Sequence, residues 1–198
     1  MIGPQMPEEQ PYCDDLHILL GVSAGIAAYK TMTLASALTK AGVAVKTVMT
    51  QNARHLIGPA GFEAITGNAV YTNMWDASQQ YDIGHVKLVD WADIVVVAPA
   101  TADIIAKAAN GICDDMLSTT LCVCWAGPTL LAPAMNSNMW NNPIVQSNVK
   151  RLKEVGFQFI GPETGRLACG SEGPGRMAEP ENILEEINNI ASRIKRET

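Results

Sequence analysis

Two glycines flank Ser23 in Gly21-Val-Ser-Ala-Gly25, the first place along the chain where backbone and side chain could jointly hold an anion. An apolar strand candidate runs into this turn and a run of helix formers leaves it. Backbone N–H groups, the Ser23 hydroxyl and the helix start, with Ala24, Gly25 and Ile26, would then surround one point, which suits a phosphate. The spacing is not the G-x-G-x-x-G of dinucleotide sites, and Val48-Met-Thr-Gln-Asn52, where the next strand candidate ends, has no acid to hold an adenosine ribose. A mononucleotide such as FMN therefore fits better than NAD. On its own, the turn serves equally well as a tight strand-to-helix connection.

The other strand ends add to it. They read Thr50, Pro99-Ala-Thr-Ala-Asp103 and Pro133-Ala-Met-Asn136. Thr50, Thr101, Ala102, Asp103, Ala134, Met135 and Asn136 thus collect at one edge, where open α/β sheets bind ligands. Thr101 and Asp103 suit a helix cap as well as they suit a cofactor contact. His85, in Asp82-Ile-Gly-His-Val-Lys-Leu88, offers a near-neutral imidazole able to take a proton, although a histidine beside Val86 also fits a structural place. Cys169 stands in a glycine-rich stretch, where a thiol is more accessible than in a core.

Strand candidates must position these groups: His17 to Val22, Val43 to Thr50, Asp93 to Ala100, Thr129 to Ala134 and Gln158 to Gly161. Helical segments lie between them, which implies βαβ units and a parallel sheet. The runs Ile94 to Ala98 and Thr129 to Ala132 are continuously apolar, as expected of strands covered on both faces. Ala24 to Ala41 and Ala102 to Ala109 read as helices stopped by Gly42 and Gly111. Pro180 to Arg196 places Ile183, Leu184, Ile187 and Ile190 on one helical face, the pattern of a core-facing stripe. Two stretches, Asn52 to Gly84 and Gly161 to Gly175, break the rhythm and read as long functional loops.

Composition bounds what the chain can do. The 198 residues, 47% hydrophobic, suffice for one domain with a full core. A net charge of -6 leaves little positive surface for nucleic-acid phosphates. Residues 1–15 are acidic, polar and proline-containing, unlike a signal peptide, and read as a disordered tail before a folded domain at 16–198. Apolar runs are too short to span a bilayer, which needs about 20 residues. Five cysteines without C-x-x-C spacing argue against a disulfide framework or a zinc site and for a reducing, cytoplasmic setting, with Cys122 and Cys124 packed in the core.

Four runs together resemble the homo-oligomeric flavin-containing cysteine decarboxylases. They are Gly21 to Lys30, Ala98 to Asp103, Pro133-Ala-Met-Asn-Ser-Asn-Met-Trp140 and Ala168-Cys-Gly-Ser-Glu-Gly-Pro-Gly-Arg-Met177. The resemblance spans roughly Leu16 to Ile190, and the last run is similar to the substrate clamp of phosphopantothenoylcysteine decarboxylases. It implies a Rossmann-like, doubly wound parallel sheet in a single flavodoxin-like three-layer α/β/α domain. It also implies FMN as the sink for electrons, since loss of CO2 beside a cysteine thiol would otherwise leave an unstabilised carbanion.

Residue by residue, the resemblance implies His85 as general base, Asn136 as the neutral amide that orients the substrate carboxylate, and Cys169 as proton donor. Met135, Ala168 and Met177 would line the substrate, and the clamp would close over it. Trimers, in some members assembled into dodecamers, would place the flavin near a subunit boundary. The bacterial enzymes are commonly fused to a synthetase for which no room follows Thr198, so a separate synthetase partner or an isolated half is expected. Peptidyl-cysteine decarboxylases, flavin prenyltransferases and non-catalytic regulatory subunits share the architecture. The presence of His85, Asn136 and Cys169 with the full clamp run favours phosphopantothenoylcysteine as substrate.

Overall fold

The computed structural model describes residues 16–75, 84–166, 170 and 172–197. Among them, β1 (His17–Val22), β2 (Ala44–Met49), β3 (Val70–Tyr71), β4 (Ile94–Ala100), β5 (Thr129–Pro133) and β6 (Gln158–Phe159) form one sheet in the order β3-β2-β1-β4-β5-β6. Every pairing in it is parallel. Without the two-residue edge strand β3, the order is that of the flavodoxin-like fold. The order of strands reverses between β1 and β4, and their carboxyl ends diverge there to leave a crevice.

Sheet residues bury alternately on two faces. Ile18, Leu20, Ile94 and Val96 enter one core, while Leu19, Val95 and Val97 enter the other, all at most 3% exposed. Each fully buried aliphatic side chain of this kind contributes about 1.5–3 kcal/mol. Helices α1 (Ala28–Lys40), α2 (Pro59–Thr66) and α8 (Pro180–Glu197) cover the first face. The second is covered by α3 (Gly84–Trp91), α4 (Ala102–Asn110), α5 (Met116–Val123) and α7 (Pro143–Glu154). These layers make the doubly wound single domain expected from the unbroken apolar runs. The α8 stripe is core, with Ile183, Ile187 and Ile190 buried.

Three expectations change. Helix α1 starts at Ala28, four residues later than the composition implied, because the Ser23 carbonyl accepts the Gly25 N–H and the Gly25 carbonyl accepts the Ala28 N–H in a compact turn. Neither long stretch is all loop: Asn52 to Gly84 holds α2 and β3, and within Gly161 to Gly175 β7 (Glu163–Arg166) and the start of β8 (Glu172–Arg176) pair antiparallel outside the main sheet. Cys124 is buried but Cys122 is exposed, since at 3.6 residues per turn positions two apart face opposite sides. Gly42 and Gly111 have positive φ, as left-handed helix stops require. No helix among the described residues is long and apolar enough to cross a membrane.

Candidate functional site

A cavity of about 1080 Å³ opens where the carboxyl ends of β1, β4 and β5 meet. The turn after β1 supplies Ala24, Gly25 and Ile26, the end of β2 Thr50, the start of α4 Thr101, Ala102 and Asp103, and the end of β5 Ala134, Met135 and Asn136. Met177, just past β8, reaches the wall while remaining 1% exposed. Eleven residues chosen from sequence for cofactor or substrate contact, Ala24, Gly25, Ile26, Thr50, Thr101, Ala102, Asp103, Ala134, Met135, Asn136 and Met177, thus share one wall.

Ser23 has a different task. It is 1% exposed and absent from the wall. Its hydroxyl donates to the Pro99 carbonyl at 2.7 Å and accepts the Thr101 N–H at 3.1 Å. One side chain therefore ties the end of β1 to the end of β4 and fixes the crevice. Gly25 lets the turn lie close to that junction: a Cβ there would stand 3.1 Å from Pro99 Cγ and 3.3 Å from Thr101 Cγ2. Thr101 caps α4, accepting the Ile104 N–H at 3.4 Å, and also lines the cavity.

Asn136 caps the short helix α6 (Ser137–Trp140), its Oδ1 accepting the Asn138 N–H at 2.8 Å. That bond sets the orientation of the side-chain amide. The Met135 N–H donates to the Gly175 carbonyl at 2.9 Å, so the β7–β8 hairpin is docked on the strand end that carries Asn136. His85, second residue of α3, is half-buried and is not on the cavity wall of its own chain. Ala168 and Cys169 lie outside the described residues, as does the 1–15 tail.

Of the charged part of the wall, the sequence pointed only to Asp103. Lys107 is held by Asp103 at 3.4 Å, Asp114 at 3.0 Å and Asp115 at 3.2 Å. Burial disfavours its charge, but hydrogen bonds to Asp114 and Asp115 and the charges of Asp115 and Asp103 outweigh this and hold the ammonium above the usual lysine range. The Lys107 hydrogen bond in turn lowers the Asp114 carboxyl. On another part of the wall, Lys30 of α1 meets both Glu179 oxygens at 2.9 Å, and Arg176 of β8 binds the same carboxylate. The i,i+4 spacing of Asp103 and Lys107 was a visible signal; the Lys30–Glu179 pair, 149 residues apart, gave none.

A mixed wall of small apolar groups, backbone turns and the α4 start fits a flat ring bearing a phosphate, and the cavity is large enough for a flavin mononucleotide beside a small substrate. Residues 8–192 match the family model described as Flavoprotein. The chain belongs to that family. Within the Flavoprotein family it is similar to the coenzyme A biosynthesis bifunctional protein CoaBC of Bacillus subtilis (strain 168), at 47% identity over 169 residues, 85% of this chain and 41% of that relative. This chain thus spans less than half of that relative's length.

Among solved structures, a cysteine-to-serine mutant of PPC decarboxylase complexed with pantothenoylaminoethenethiol superposes with a TM-score of 0.78 at 31% identity, covering 93% of this chain and all of that one. The FMN-dependent cysteine decarboxylase SpaF gives 0.77 at 36% identity over 90% of this chain and 96% of its own.

Proposed function

We propose that this chain is an FMN-dependent phosphopantothenoylcysteine decarboxylase, converting its substrate to phosphopantetheine and CO2 on the route to coenzyme A. The observation that carries the reading is the docking of the β8 hairpin on the Pro133–Asn136 strand end, inside a cavity also walled by the turn after β1. Similarity to the bifunctional CoaBC protein and to PPC decarboxylase supports this substrate over others.

When bound, FMN supplies a reversible two-electron acceptor, so that the reaction as a whole is redox-neutral. Ala24, Gly25, Ile26, Thr101 and Ala102 would hold it. Asn136 orients the substrate carboxylate through a neutral amide, which fixes it without a cation that would oppose its departure as CO2. His85 takes the substrate proton at the outset and Cys169 returns one at the end. Since His85 lies off its own chain's wall, a homotrimer or dodecamer in which neighbouring chains complete each site is the assembly that fits. The relatives' bifunctional names favour, in those proteins, a fused synthetase over a separate partner. A cytoplasmic setting suits the free thiols.

A second reading, consistent with similarity to the FMN-dependent cysteine decarboxylase SpaF at 36% identity, takes a peptide ending in cysteine as the substrate. Offering the flavin-loaded protein phosphopantothenoylcysteine and a peptide with C-terminal cysteine in competition separates the two. Phosphopantetheine as the dominant product supports the first reading, and decarboxylated peptide alone contradicts it.

A further inference from the structure

The cavity wall is electrically divided. Its three described carboxylates, Asp103, Asp114 and Asp115, all contact Lys107, so that part carries one positive and three negative formal charges. A phosphate dianion is repelled there. The wall's other described cations are Lys30, Arg166 and Arg176, and the carboxylate that joins Lys30 to Arg176, Glu179, does not line the cavity.

We infer that Lys30 and Arg176 form the subsite for the terminal phosphate of the substrate, a conclusion that rests on the decarboxylase reading above. Convergence is the decisive feature: one oxygen, Glu179 Oε1, is bound by both the Lys30 ammonium, at 2.9 Å, and the Arg176 guanidinium. Two cations that can share one carboxylate oxygen can also share one phosphate. Lysine brings three N–H donors and arginine five, so Glu179 leaves donors on each for an anion arriving from the cavity.

Glu179 is itself held from behind. Its N–H donates to Glu163 Oε1 at 3.4 Å, and Asn182 donates to the same oxygen at 2.9 Å. Burial and the neighbouring Arg176 charge lower the Lys30 ammonium below the usual lysine range, opposed in part by Glu163 and Glu181, neither of which is on the wall. A ligand in the cavity therefore meets the cations first, backed by carboxylates that pin them. Arg176 directly follows Gly175, whose carbonyl holds Met135, so phosphate binding would brace the hairpin against the strand end that carries Asn136. Binding energy from a remote, unreactive part of the substrate then orients the reacting end.

The test compares phosphopantothenoylcysteine with pantothenoylcysteine, which lacks the phosphate, on flavin-loaded wild type, Lys30→Gln, Arg176→Gln and Arg176→Lys. Each glutamine variant should cut the preference for the phosphorylated over the dephospho substrate, the ratio of their kcat/KM values, by about 10- to 100-fold, the worth of one charge-assisted hydrogen bond, with flavin still bound. Arg176→Lys should recover part of the preference. Equal loss on both substrates would overturn the subsite, and so would release of flavin with the preference intact, which would assign the cations to the flavin phosphate. Calorimetric binding of phosphopantetheine against pantetheine decides the subsite without turnover. A wild type that turns over neither substrate, yet binds phosphopantetheine more tightly through Lys30 and Arg176, would sink the decarboxylase reading alone.

Discussion

Gly175 and Met135 are joined backbone to backbone: the Gly175 carbonyl accepts the Met135 N–H at 2.9 Å, and a side chain on Gly175 would overlap the Met135 carbonyl oxygen. Its φ of 138° is a conformation that favours glycine. Gly175→Ala should therefore displace the hairpin, at a cost of about 1–3 kcal/mol of strain, and reduce kcat/KM far more than it lowers the melting temperature. Steady-state kinetics beside thermal melts check this. Wild-type kinetics in the variant would show that hairpin docking is irrelevant to turnover.

Ser23→Ala tests whether that hydroxyl is a tie or a ligand. Removing it leaves the part-buried Thr101 N–H without its 3.1 Å partner and frees the buried Pro99 carbonyl, a loss of about 1–3 kcal/mol. Melting should fall by about 2–4 °C for each kcal/mol in a chain of this length. Unchanged melting with weakened flavin binding, measured by fluorescence titration, would return Ser23 to the role of cofactor contact.

Cys124 gives a pH signature. Burial pushes its thiol up to about 11, from an ordinary value of 9.0. A raised native pKa favours the protonated thiol, so its stabilising contribution is full below about pH 9, declines as pH rises toward 11, and is lost above that. The effect is about 2–3 kcal/mol at most. Alkylation of the native protein followed by mass spectrometry should leave Cys124 unmodified at pH 8 and modify it on unfolding. Rapid native labelling at pH 8 would contradict the burial argument.

His85→Asn should cut turnover by about 10²- to 10⁴-fold, the range for loss of a general base, while leaving flavin bound. Mixed oligomers of inactive His85→Asn and inactive Asn136→Asp chains should regain part of the activity if neighbouring chains complete the site. No recovery in verified mixed oligomers would place the working His85 and Asn136 in the same chain.

Much of this architecture was legible because it follows from local pattern. Unbroken apolar runs such as Ile94–Ala100 marked strands buried on both faces, and their polar ends located the cavity wall before any topology was known. What escaped has equally physical reasons. Strand β8, Glu-Gly-Pro-Gly-Arg, has no apolar alternation, and glycine and proline spoke for a loop; only its docking on Met135 makes it an element. Strand β3 is two residues long and carries no period at all.

Charge partition was hidden for a different reason. Composition reports a net charge but not which lysine meets three aspartates and which shares one glutamate with an arginine. Lys30 stood inside a run already singled out, but its role depends on Glu179 from the far end of the chain. Ser23 shows the converse: its spacing pointed to a phosphate, while the bond from its hydroxyl to the Pro99 carbonyl, which ties β1 to β4, had no local signal.

The most direct test of the central claim is a single anaerobic turnover of phosphopantothenoylcysteine carrying a ¹³C-labelled cysteine carboxyl, with CO2, phosphopantetheine and flavin absorbance followed together. A redox-neutral decarboxylase should release labelled CO2 and phosphopantetheine in equal amounts and finish with its flavin oxidised. Absence of labelled CO2, or flavin left reduced in proportion to the substrate consumed, would contradict it.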